Sequence, residues 1–148
     1  MKIREFQEYL KDRLNEVEDL VNGNCKAFAE DTREVYDESS QWIRTGGVAV
    51  VVVTPDLQRN GCAKDGIPMD TKLLIRCMEL PPIAGENPNT IRALDAAEIV
   101  GHALDGETIQ FESIRQTQSQ DREGNSVITA TATFNVTLYL TKESGGSK

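Results

Sequence analysis

Residues 125–140, NSVITATATFNVTLYL, decide the fold. Ile128, Ala130, Ala132, Phe134, Val136, Leu138 and Leu140 are apolar and sit two apart, with Thr129, Thr131, Thr133, Asn135 and Thr137 in the gaps. Side chains alternate across a strand, so the pattern predicts one apolar face on a core and one hydroxyl-rich face towards water or a partner. β-Branched residues suit that pleat. At roughly 3.3 Å per residue the strand is about 45 Å long, well beyond the usual run of about five or six residues. A small core cannot cover such a strand. It must bend at a bulge, or part of it must project and pair with something.

The segment before it completes a hairpin. Ile109 and Phe111 alternate within 108–120, and the run then becomes wholly polar from Arg115 to Gln120. Asp121-Arg122-Glu123-Gly124-Asn125 supplies the turn. The expected hairpin is apolar at its base and polar at its tip, and such a tip has no core of its own to lie on.

Further towards the N-terminus, Val48 to Val53 form a continuous β-branched run ended by Thr54-Pro55-Asp56. A run of that kind reads as a central strand buried on both faces. It is expected to pair antiparallel with 71–80 (TKLLIRCMEL), where Leu73, Ile75 and Cys77 share one face and Arg76 interrupts Leu74, Met78 and Leu80 on the other. Between them, 57–70 (LQRNGCAKDGIPMD) holds Asn60-Gly61, Asp65-Gly66 and Pro68, which predict turns and a long loop. Arg59 and Lys64 make that loop locally basic.

Two helices are expected to pack on the sheet. Ile3, Phe6, Leu10, Leu14, Val17 and Val21 recur at three and four residues, with Arg4 and Glu8 placed to pair and Asn22-Gly23 as a left-handed stop. The stripe is that of a helix facing its own sheet; a partner-binding helix is the alternative reading. The second helix is capped by Asn89 or Thr90, lined by Ile91, Leu94, Ala97, Ile99, Val100, Ala103 and Leu104, and stopped at Asp105-Gly106. Residues 25–37 suggest one or two short strands, and 37–40 (DESS) a loop. The expectation is a single α+β domain over 1–142, mainly antiparallel, with two helices on the sheet and a long closing β-hairpin. The polar stretch 143–148 is read as a frayed tail.

The chain has 148 residues, 39% hydrophobic and 27% charged, with a formal net charge of −8. That suits one soluble domain and argues against a protein that grips nucleic acid by its phosphates. Cys25, Cys62 and Cys77 are irregularly spaced without a neighbouring histidine, so free thiols in a reducing cytosol are expected rather than a metal site. No run is apolar and long enough for a membrane span, and 1–20 lacks the apolar core of a signal peptide. Phosphate loops, HExxH, GxSxG and calcium-loop patterns are missing. The lone histidine, His102, has no marked partner nucleophile or acid. No catalytic, cofactor-binding or metal-ligating residue is expected.

This order of elements, in an acidic chain of this length closing on an FNVTLYL strand, resembles the tail terminator (tail completion) proteins of long-tailed bacteriophages and related prophages. The resemblance covers nearly the whole chain. It implies an α+β subunit that assembles into a ring, usually six-fold, on the head-proximal end of the tail tube. There it stops tube polymerisation and offers a surface to the head–tail connector, without enzymatic activity or cofactor. Its implied location is the virion, reached from the host cytoplasm. A head–tail adaptor or tube protein is the neighbouring alternative. A small enzyme or ligand-binding domain, with a pocket between 89–104 and the sheet, is a third. The resemblance carries over no individual functional residue. From the residues alone, Arg59 and Lys64 in the loop and Gln118, Asp121, Arg122 and Glu123 at the hairpin tip are the expected subunit and tube contacts.

Overall fold

A computed structural model describes residues 3–30, 35–59, 66–84, 90–121 and 123–141. The long closing strand is its spine. We label the strands β1 (Cys25–Ala29), β2 (Val48–Val52), β3 (Asp56–Arg59), β4 (Gly66–Glu79), β5 (Ile109–Gln120) and β6 (Ser126–Thr141). They form one sheet in the order β1-β2-β4-β6-β5, with β3 also paired to β4. Only β1 and β2 run parallel; every other pairing is antiparallel. The expected α+β architecture is therefore present.

The apolar face of β6 packs as its alternation requires: Ala130, Ala132, Phe134 and Val136 are buried. Phe134 lies opposite Leu73, and Ala132 opposite Ile75. Over this face lie α1 (Ile3–Leu14), α2 (Glu18–Asn22) and α5 (Ala93–Leu104), enclosing the main core. A smaller cluster of Phe28, Ile43, Ala49, Val51, Leu80 and Val127 lies on the other face, under α3 (Val35–Arg44). All of β2 is buried, as a central strand covered on both sides should be.

Several expectations need correction. Residues 35–44 form a helix, not a strand and loop; α3 is the crossover that two parallel strands require. Ser39, 5% exposed, interrupts what is otherwise a helical apolar spacing through Trp42 and Ile43. The N-terminal stripe is split at 15–17, so Leu20 is buried and Val21 is 52% exposed. Glu8 pairs with Lys11 at 2.7 Å. The left-handed residue after α2 is Asn24 (φ 62°), with Gly23 at φ −87°. The long loop is largely a hairpin, since β3 pairs with 69–72 of β4 and leaves only 60–65 outside the described residues. Pro81–Ala84 forms a single helical turn, α4. Leu94 is 40% exposed, while Ala93, Ala96 and Ala97 are fully buried.

The cap of α5 also differs from expectation. Asn89 lies outside the described residues, and Thr90 donates to the Gly46 carbonyl at 2.9 Å. The carboxylate of Glu79, fully buried at the end of β4, accepts hydrogen bonds from Ala93 N–H (3.2 Å) and Arg92 Nε (2.9 Å). A carboxylate at a helix N-terminus meets both its unsatisfied donors and the positive end of its dipole.

The two edges of the main sheet are finished differently. At β1, the Asn15 side chain accepts from Ala27 N–H (2.8 Å) and donates to the Ala27 carbonyl (3.2 Å). At β5, every residue from Arg115 to Gln120 is exposed.

Truncating Phe134, which is 0% exposed, to alanine should cost about 3–5 kcal/mol in denaturant unfolding. A loss below about 1 kcal/mol would contradict this packing of β6.

Candidate functional site

The hairpin tip is held by its own turn. Asp121 Oδ1 accepts from Glu123 N–H (2.9 Å) and Asn125 N–H (2.9 Å), and Asn125 Nδ2 donates to Oδ2 (3.3 Å). The Asn125 backbone bond is the main cause that holds the Asp121 carboxyl below its ordinary range. Glu123 reaches Arg44 of α3 at 3.4 Å, and Gln118 donates to Ser126 Oγ at 3.2 Å. These tip residues are therefore tied to the rest of the chain as well as presented on its surface. Arg122 and Lys64 lie outside the described residues. Arg59 ends β3, opposite Met69.

The two sets of expected contact residues do not form one site. Met69 stands where β4 pairs with the end of β3, and Glu79, opposite Ile128, stands at the end of β4 towards the hairpin tip. Ten residues of β4 separate them, roughly 33 Å at strand spacing. They mark opposite ends of the molecule.

A third surface emerges from the pairing register. Among the described residues, the face of β4, β6 and β5 away from α5 is covered, by α3 and α4, only towards the Leu80 and Val127 end. The rest is the expected hydroxyl-rich face, with Thr131, Thr133, Asn135 and Thr137 from β6. It shapes a groove of about 1050 Å³, lined among others by Thr54, Lys72, Leu74, Arg76, Gln110 and Asn135. Lys72 pairs with Glu112 at 2.8 Å, and Asp70 accepts from Thr137 Oγ1 at 3.0 Å. Arg76 and Arg115 lie on either side of Thr131 in the ladder, about two strand spacings or ~10 Å apart. Neither makes an ion pair among the described residues. Sequence reading noticed each arginine separately; only the strand register puts them beside each other.

The α5–sheet interface, where a ligand-binding domain would hold its pocket, is lined by small buried residues. Under α5, Ala93, Ala96, Ala97 and Val100 are fully buried. A Cβ on Gly101 would stand 3.0 Å from the Phe111 ring, which meets Phe134 edge-on at 5.6 Å. His102 is exposed on the last turn. Among the described residues no group of three or more His, Cys, Asp or Glu could hold a metal, and no helix is long and apolar enough to cross a membrane. Cys25 and Cys77 are free and buried. Burial pushes the Cys25 thiol up to about 12 and the Cys77 thiol up as well, so neither is a ready nucleophile. Cys62 lies outside the described residues.

Comparison with protein families and with curated proteins returned no match.

The turn gives a pH test. Because the folded Asp121 carboxyl titrates low, its contribution is present above the unfolded value and lost as pH falls through the folded one. The Asn125 amide shift should therefore titrate with a midpoint below 3.8, the ordinary value for this carboxyl. A midpoint at or above that value would mean the turn does not hold the carboxylate in solution.

Proposed function

We propose that this chain is a structural subunit of a long-tailed phage or prophage virion. It acts as a tail terminator that closes into a ring, caps the tail tube and meets the head–tail connector. One observation carries the subunit reading: the sheet is built on very long strands and ends on an exposed edge. The β4–β6 ladder runs for fourteen pairs, and five of them, from Asp70↔Thr137 to Gly66↔Thr141, continue it past Val136. At the other end β5 is an exposed edge strand leading to the polar tip. Strands that long, with an uncovered edge, are uncommon in a self-contained domain and leave backbone groups ready for a neighbour.

The terminator identity rests on the order of elements and on an acidic chain of this size. The fold supplies two separated ends, which a head-to-tail contact between identical subunits requires. The negative charge suits a wall past which DNA moves without sticking. The chemistry proposed is assembly alone, with no catalytic step and no cofactor.

Light scattering across a concentration series, with negative-stain images of the largest species, tests this reading. Closed rings of about six subunits with a central hole are expected, because heterologous contacts that close give cyclic symmetry. Rods would instead identify a tube subunit, and a strict monomer throughout would count against self-assembly into a ring. Deleting 118–124, the hairpin tip, should leave the melting transition in place and weaken assembly. Global unfolding of that variant would place the tip within the folding unit and remove its role as a contact.

A further inference from the structure

One patch on the bare sheet face and one on the helical face carry opposite charges. On the sheet face, Arg76 and Arg115 are exposed and flank Thr131 without ion-pair partners among the described residues. On the helical face, the junction between α1 and α2 presents Glu16, Glu18 and Asp19, all exposed and without ion pairs among the described residues. The neighbouring acids are already satisfied, Glu8 and Asp12 by Lys11 at 2.7 and 3.8 Å. Beside the free acids stands Val21, 52% exposed.

Building on the subunit reading, we propose that the α1–α2 junction of one copy docks on the bare sheet face of the next. Glu16, Glu18 and Asp19 would meet Arg76 and Arg115, with Val21 over Leu74. The two patches lie on opposite faces of one sheet, so the contact is heterologous and propagates from copy to copy. Arg76 and Arg115 are anchored about two strand spacings, ~10 Å, apart, which suits carboxylates spread over a helix junction. On the same face Lys72 is taken up by Glu112 and Asp70 accepts from Thr137 Oγ1, which leaves Arg76 and Arg115, among the described residues, as the cations open to an acidic partner. Another copy of this chain supplies the required acids at a fixed spacing.

Charge exchange tests the contact. One variant carries Arg76→Glu and Arg115→Glu; the other carries Glu16→Lys, Glu18→Lys and Asp19→Lys. At about 20 mM salt, where exposed charges are least screened, each variant alone should assemble at least ~10-fold more weakly than the parent. An equimolar mixture should recover assembly, since each interface then pairs opposite charges. Raising salt to about 300 mM should weaken the parent. If the lysine variant melts early, Glu16→Gln with Glu18→Gln and Asp19→Asn replaces it, with weakened assembly alone as the expected result. Parent-like assembly of the variants, a mixture that fails to recover, or a parent monomeric at low salt would overturn the contact. If the parent forms rings that the variants retain, this contact falls while the ring reading stands.

Discussion

The pairing of β4 with β6 is the constraint on which the rest depends. It runs unbroken from Gly66↔Thr141 to Glu79↔Ile128. β2 and β3 share the other edge of β4, β5 takes the other edge of β6, and α5 lies across all three. A one-residue slip of β6 would turn Ala130, Ala132, Phe134 and Val136 out of the core together, so the ladder and the core specify each other. Small residues permit the close fit. Ala130 and Ala132 on the strand meet the alanine stripe of α5, and Gly101 leaves room for Phe111. The register of β5 shifts between Phe111 and Ser113, which lets that strand keep Phe111 against α5 and then run on as a polar edge.

Glu79 joins strand to helix. Burying a carboxylate is unfavourable unless its oxygens are satisfied. Here one oxygen takes a backbone donor at the start of α5 and the other a guanidinium. The place where β4 ends therefore also fixes where α5 begins. Nearby, Asn24 and Thr90 hydrogen-bond each other at 3.1 Å, and Thr90 bonds the Gly46 carbonyl. Three chain reversals are thereby pinned at one corner, and the helical layer is set in place by polar contacts around an apolar interior.

Period-two alternation in β6 and the unbroken valines of β2 were legible because burial on one or both faces leaves its own pattern in the sequence. The helix α3 was not: Ser39 sits where an aliphatic residue would have completed the stripe, and Val35-Tyr36 resembles a strand. The turn-rich stretch after Pro55 misled in the opposite direction, since ladder bonds to β4 outweigh the local turn preferences of Asp56 and of Pro68 at the far side. The hairpin tip was legible as polar, yet Asp121's three bonds and the Glu123–Arg44 pair depend on distances that no local pattern encodes. The arginine pair on the bare face was invisible for the same reason. Residues 76 and 115 become neighbours only through a third strand.

Asn15 gives the molecule a direction. Its carboxamide is chemically a peptide group, and by bonding both backbone atoms of Ala27 it behaves as a one-residue strand that nothing can follow. A sheet whose two margins were equally receptive could be extended from either side, the geometry from which runaway fibrils grow. Here one margin is sealed by a side chain that arrives from a break between helices. Strand-on-strand stacking needs two receptive margins, and at Ala27 a single amide closes one of them.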